Sequence, residues 1–332
     1  MKRIWLVLLS LGLVMAFSVS ALAVELKSSA EYYAAGMLLR SVNVTNENDA
    51  GTHFFYQRFR LGNDFIVSPC LKLVTRADIM ERTWEPDSEG NYDTGSYDRN
   101  IDWDIVYIDY TSPIGLFQVG YMPDYVWGNI WSNRSTGPTS GQIKYIVPIP
   151  NTPVTLEAVY AKEGENSYFI DNTTTGSALV ADRDYDSYRA GGVFSFKGGE
   201  AGLLFIYNRD ASHRGDAPTL TSVPYLLKAW SIDPYFKAKI GPVALQGEAV
   251  YQFGKIQAED PYGDYDQDIN SLSAWLNADA NFGMIGVGGS LAYVSGDDDA
   301  TDDERNDTLS GGRDWDPCLI MFNNTTMNSW VG

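Results

Sequence analysis

Between Phe54 and Trp84, large apolar and polar side chains alternate with a period of two. Phe55, Gln57, Phe59, Leu61, Asn63 and Phe65 fall on one face; Tyr56, Arg58, Arg60, Gly62 and Asp64 fall on the other. After Ser68-Pro69 the pattern resumes, with Leu71, Leu73, Thr75, Ala77 and Ile79 opposite Lys72, Arg76, Asp78 and Arg82. A period of two belongs to β-strands. The runs predict strands of roughly 12 to 15 residues, where globular strands average about 5 to 6. Strands that long, apolar on one face and charged on the other, suit a wall between lipid and water. The expected fold is all-β, a transmembrane antiparallel up-and-down β-barrel.

The same reading predicts thirteen strands, over 24–44, 54–67, 70–84, 101–112, 116–126, 141–148, 154–163, 185–197, 201–210, 222–240, 243–257, 267–282 and 286–296. Their connections alternate short and long. The short ones are Ser68-Pro69, Pro113-Ile114-Gly115, Pro148 to Pro153, Gly198-Gly199-Glu200, Gly241-Pro242 and Gly283 to Ile285. Gly or Pro appears in each, as tight turns require. The long ones cover 45–53, 85–100, 127–140, 164–184, 211–221, 258–266 and 297 onward, and are rich in Asn, Asp, Gly, Ser and Thr. A sandwich gives no reason for that alternation, whereas an outer-membrane barrel has short periplasmic turns and long external loops. Trp, Tyr and Phe gather near strand ends, as at Tyr32, Phe54, Trp84, Trp103, Trp127 and Phe282, where amphipathic rings would sit at the two lipid interfaces.

The first 23 residues form a separate device. Lys2 and Arg3 precede the apolar run Ile4 to Ser18, and Ala21-Leu22-Ala23 offers small residues for cleavage before Val24. That is the pattern of a secretory signal. Residues 24–332 are then one barrel domain, and export makes a bacterial outer membrane the expected location. The mature part has no later apolar run of about 18 residues, so it predicts no spanning helix. The formal net charge of −19 disfavours nucleic acid as a partner, because phosphate contacts need clustered Lys and Arg. Cys70 and Cys318 are predicted at opposite rims, too far apart for a bridge.

Three stretches narrow the reading: Pro113-Ile114-Gly115-Leu116-Phe117-Gln118-Val119-Gly120-Tyr121-Met122-Pro123, then Trp127-Gly128, and Asp314-Trp315-Asp316-Pro317-Cys318-Leu319-Ile320. With the strand pattern, they resemble Gram-negative porins, in particular the porin-like and alginate-export-like barrels of environmental proteobacteria. The resemblance implies passive or weakly selective passage of small hydrophilic solutes, contact with outer-membrane lipids and lipopolysaccharide, and homotrimers. It departs at the end of the chain. Such barrels finish on a strand with a terminal aromatic, whereas Asn328-Ser329-Trp330-Val331-Gly332 lies in a predicted loop. Thirteen is also odd where bacterial barrels are even. A complete relative is therefore expected to carry 14–18 strands, and this chain is expected to be truncated and unable to close as a stable monomer.

Charges on the inward faces are the candidate functional residues. Arg58, Arg60, Lys72, Arg76 and Arg82 predict a basic wall, and Asp102, Asp104, Glu157, Glu248 and Asp279 an acidic one, interrupted by Lys144, Arg189 and Lys228. Opposed walls would set a transverse field across the pore that orients dipolar solutes and slows apolar ones; the plainer reading is that these groups wet the lumen and pair with one another. In the loop 127–140, Trp127, Trp131 and Arg134 suit a constriction that stacks on sugars or aromatic solutes, as third loops do in porins; the plainer reading is a surface loop. Asp297, Asp299, Asp302 and Asp303 supply oxygens for Ca²⁺ but match no EF-hand spacing, so no metal or other cofactor is expected beyond that weak site. Only His53 and His213 could act as catalytic bases, both in predicted loops, and no enzyme is expected. The alternatives carried forward are a non-conducting structural or adhesin barrel displaying acidic loops and, more remotely, a barrel hydrolase.

Overall fold

The computed structural model describes residues 24–39, 52–84, 101–130, 132–133, 139–167, 182–214, 223–259, 266–295 and 304–305. The signal segment, the acidic run Asp297 to Asp303, Cys318 and the motif Asp314 to Ile320 lie outside them. So do Trp131 and Arg134. The described secondary structure is all β; thirteen strands pair antiparallel and up-and-down in the order of the sequence, and one two-residue strand lies off that path. No helix among the described residues is long and apolar enough to cross a membrane.

The chain divides into two compact units, Met1–Ser112 and Pro113–Gly332. The first holds β1 (Glu25–Leu39), β2 (Thr52–Ser68), β3 (Leu71–Thr83) and β4 (Ile101–Ser112), each paired antiparallel with the next. The second holds β5 (Gly115–Pro123), β6 (Thr139–Pro148), β7 (Val154–Gly164), β8 (Tyr185–Phe196), β9 (Gly199–Asp210), β10 (Tyr225–Ile240), β11 (Val243–Ala258), β12 (Gln267–Phe282) and β13 (Ile285–Val294), again paired in order. A two-residue strand, β14 (Glu304–Arg305), runs parallel to β12 at Asp268 and Ile269.

Burial in the second unit runs opposite to that of a water-soluble sheet. Trp230, Phe205 and Leu276 are 49%, 48% and 46% exposed, while Ser187, Asp233 and Ser273 on the other face are 0% exposed. The face predicted to be apolar is thus the outer one, and the polar face is covered. Cross-strand partners share a face. The row Glu157, Gly191, Leu204 and Asp233 on β7 to β10 therefore points to the polar side, as does the row Val159, Arg189, Ile206 and Ser231.

The first unit shows the same alternation, interrupted by three register slips, one of them between Ile66 and Ser68 beside the turn. Around Met80, whose φ is 53°, the register slips, so that Gln57 faces Arg82 and Phe59 faces Ile79. Glu81 takes the polar side, where Tyr56 donates a hydrogen bond to it. Arg82 is turned to the side of Phe55 and Gln57, a correction to the sequence reading, which placed it with Lys72 and Arg76. A bulge inserts one residue and flips everything beyond it. The slip between β3 and β4, at Arg76 and Ala77, leaves Asp104 as the extra residue of β4. Trp103 and Val106 both lie outward, at 56% and 39% exposure, with Asp104 and Ile105 between them.

The strand predicted over 116–126 ends at Pro123. Proline has no N–H to continue a ladder, and the next residue, Asp124, is claimed by side chains of β6 and β8.

Candidate functional site

The segment after β5 folds down onto the polar face of β8 to β11 and is fixed there at three points. The first is its root. Arg189 on β8 donates to the Asp124 carbonyl at 2.8 Å and to the Asp124 carboxylate at 2.6 Å. It also donates to Glu163 on β7 and to the Ser187 hydroxyl, and its guanidinium lies 3.5 Å from the centre of the Tyr125 ring. Ser140 and Gln142 of β6 donate to Asp124 and to the Pro123 carbonyl. With 3% and 4% of their side chains exposed, Arg189 and Asp124 are a desolvated pair. Such pairs survive only when further hydrogen bonds satisfy both members.

The second point is Trp127. Its indole lies over Gly191 of β8 and Gly202 of β9. A Cβ on Gly202 would come within 2.8 Å of the ring, and one on Gly191 within 3.1 Å. Those glycines leave a slot in the wall that no larger residue could provide. The ring packs on Leu204, Ile206 and Tyr235, meeting Tyr235 edge-on at 5.2 Å between centroids, and its Nε1–H donates to the Asp233 carbonyl at 3.2 Å.

The third point is Glu248 on β11. Its carboxylate accepts the backbone N–H groups of Asn129, Ile130 at 2.7 Å and Ser132 at 3.1 Å. Gly128 bends the chain around it with φ 69°, and a Cβ there would meet the carboxylate at 2.7 Å. Three amides aimed at one buried anion replace the water it gave up. Ile130 inserts between Val250 and Trp275. Asn129 donates to the Gly247 carbonyl at 2.9 Å, and the turn closes through a bridge between Val126 and Asn133. Asp233, fully buried, faces Ser132 of the loop across this interface.

Several sequence expectations change in this light. Trp127 is 6% exposed and holds the loop to the wall, so its ring is not offered to a solute. Glu248 holds the backbone of the loop and is only 4% exposed. Glu157 stands on the polar face across from Gly191, and Asp279 on the polar side of β12 accepts from Asn277.

In the first unit, basic and acidic residues interleave on one face. Arg60 forms a two-pronged pair with Asp78, with both bonds 2.7 Å. Arg76 donates to Asp104 from Nε at 2.8 Å and again from Nη2 at 2.5 Å. Lys72 lies 3.2 Å from Asp109 and 3.7 Å from Asp64. Arg58 lies 3.8 Å from Glu81 and 4.0 Å from Glu31. Asp102 sits directly across from Asp78. Asp102 and Asp104 thus belong to the same patch as the arginines rather than to an opposing wall.

Sequence reasoning passed over Asp124, Asn129, Ser132, Asp233 and the glycine slot. The legible hint was Gly191-Gly192 in the middle of a strand, with Gly202 in the next, since glycine inside a strand marks a close approach.

No protein-family model matches the chain, and no curated protein matches it. Among solved structures it is similar to the anion-selective porin from Comamonas acidovorans, at 14% identity over 81% of this chain and 79% of that one, with a TM-score of 0.45. It is also similar to the outer-membrane channel DcaP of Acinetobacter baumannii, at 10% identity over 83% and 92%, TM-score 0.42. A third is OmpF of Salmonella typhi in complex with daunomycin, at 9% identity over 84% and 92%, TM-score 0.38.

Proposed function

We propose that this chain is a porin-like channel of the bacterial outer membrane, passing small hydrophilic solutes by diffusion along its polar face. The observation that carries the reading is the inverted sheet with a loop docked on its polar side. Exposed Trp230, Phe205 and Leu276 suit a lipid-facing surface, while the polar face receives residues 124–130 and 132–133. A loop held at three points is a rigid obstacle, and a rigid obstacle on a polar wall sets the cross-section open to a solute. Export by the segment 1–23, contact with lipopolysaccharide and assembly as homotrimers belong to the same proposal. Passive transport needs no catalytic group, and we assign none.

Planar-bilayer recording tests it. The purified protein is expected to insert and give steady, ohmic channels whose conductance rises when the loop is released. Insertion without conductance defeats the reading and favours the non-conducting structural barrel. Chemical cross-linking in the membrane reports the assembly, with a ladder ending at three copies expected.

A further inference from the structure

We infer that Arg209, Lys228 and Lys255 form a site on the outward wall for the phosphorylated disaccharide headgroup of lipopolysaccharide, an inference that rests on the outer-membrane reading above. Register places the three together. Arg209 of β9 pairs with Lys228 of β10, and Lys228 pairs with Lys255 of β11. Cross-strand partners share a face, and this face is the one that carries the exposed side chains of Phe205, Trp230 and Phe253. Neighbouring strands stand about 4.8 Å apart, so three cations fall within about 10 Å on the side that meets lipid. Like charges placed directly opposite one another destabilise a sheet. An anion lying between them removes that cost.

The row sits at a definite depth. Two residues nearer the short turns, Tyr160, Tyr188, Tyr207, Trp230 and Phe253 run side by side across β7 to β11. The ring centres of Tyr207 and Trp230 are 4.5 Å apart, and those of Tyr160 and Tyr188 are 5.3 Å apart. Amphipathic rings collect where lipid meets water. On β10 the outward positions from Ile240 through Phe236 and Ile232 to Trp230 are all apolar. Ten residues of strand rise about 33 Å, or about 25 Å along the membrane normal at a tilt near 40°, which is the height of the apolar band. Lys228 is the next outward position and falls at the headgroup level. Its end of the sheet leads into the long connections 211–221 and 258–266, the external side of such a wall.

Acids bound the site on both sides. Asp186 of β8 stands across from Arg209, and Asp268 of β12 across from Lys255. Arg209 also pairs with Asp182, and Lys255 lies 3.1 Å from Asp268. Both side chains of that second pair are more than half exposed, so it holds weakly and a phosphate can take the lysine. The Lys228 ammonium lies 3.2 Å from the neutral Gln257 and has a cation on the strand at either side. Three cations between two carboxylates match one compact, multiply charged headgroup better than a continuous anionic surface. A guanidinium meets phosphate through two hydrogen bonds and an ammonium meets it as a point charge. The acyl chains of the same molecule then run along Trp230, Ile232 and Phe205.

Native mass spectrometry of the full protein in detergent provides the test, with bisphosphorylated lipid A and dephosphorylated lipid A as probes. The native protein is expected to retain the bisphosphorylated lipid several-fold more. Lys228→Gln combined with Lys255→Gln should remove that preference. Lys228→Arg should keep it, and Lys237→Gln, on the polar face, should leave it unchanged. If the double variant fails to fold, the comparison of the two lipids on the native protein decides. Equal retention of the two lipids by the native protein, or a preference untouched in the folded double variant, overturns the inference while leaving the channel intact. Retention of phosphatidylglycerol as strong as that of the bisphosphorylated lipid also overturns it, because the site would then read charge alone. Failure of the native protein to insert into a bilayer removes the outer-membrane reading itself.

Discussion

The polar faces of the two units are built from the same alternation and end up doing different things. On β2 to β4 the inward positions are large and charged, Tyr56, Arg58, Arg60, Lys72, Arg76 and Asp78, and they neutralise one another across neighbouring strands. On β8 to β12 many inward positions are small, Ser187, Gly191, Gly202, Ser231, Ser271 and Ser273. Small residues leave room, and the loop after β5 fills it. The difference teaches that charge alone does not decide what a polar wall does. Side-chain volume decides whether the wall closes on itself or receives another segment.

Removing the anion that holds the loop should break this comparison most deeply. Glu248→Ala leaves three backbone N–H groups buried without an acceptor, at about 1–3 kcal/mol each. The loop is expected to leave the wall, so that protease cuts appear between residues 127 and 133 and single-channel conductance rises. Glu248→Gln keeps an acceptor oxygen and should show a much smaller change. Next in size, Trp127→Ala empties the glycine slot, and aromatic-to-alanine changes in packed sites cost about 3–5 kcal/mol. Filling the slot from the other side with Gly202→Val should release the same segment, read by loss of Trp127 fluorescence shielding. If both variants keep the loop protected, the volume argument fails.

The first unit should respond differently. A double-mutant cycle on Arg60 and Asp78 is expected to give a coupling of roughly 1.5–3 kcal/mol, as hydrogen bonds between charged groups do. It should leave conductance and protease protection of the loop unchanged. A shift in loop protection would contradict the separation of roles.

The smallest effect concerns the rim near β8. Burial raises the Asp184 carboxyl, but hydrogen bonds from Lys162, Ser167 and the Asn166 backbone outweigh it and hold its pKa at about 2. A carboxyl lowered on folding contributes stability above its unfolded pKa of about 3.9, and that contribution fades as pH falls toward the folded value. The protection of the amides of residues 166 and 167, corrected for intrinsic exchange, is therefore expected to fall between about pH 4 and pH 2. Asp184→Asn should abolish that acid dependence.

Much of the fold was legible along the chain. The strand spans 101–112, 243–257 and 267–282 agree with the structure to within a residue, because long runs of alternating apolar and polar residues end at residues that turn the chain. The turns at Gly241-Pro242 and Gly283 were equally plain. Arg82 was misplaced because a bulge at Met80 is a one-residue event with no composition signal. Trp127 was placed in the correct loop and given the wrong role, since whether an indole faces solute or wall depends on what stands opposite it. Glu248 was picked as an inward acid, but nothing near it in sequence announces the three amides it holds, which lie well over a hundred residues away.

The sequence by itself determined the long antiparallel strands, their order, which face of each is apolar, and the inward charges. Those are local properties, set by a period of two and by the residues that can turn a chain. Only the tertiary structure decided which of those charges are spent. Neutralisation of Arg60 by Asp78, capture of the loop by Glu248 and seating of Trp127 between two glycines all depend on register and on long-range approach. Those are fixed by the sum of many pairings rather than by any one stretch of chain.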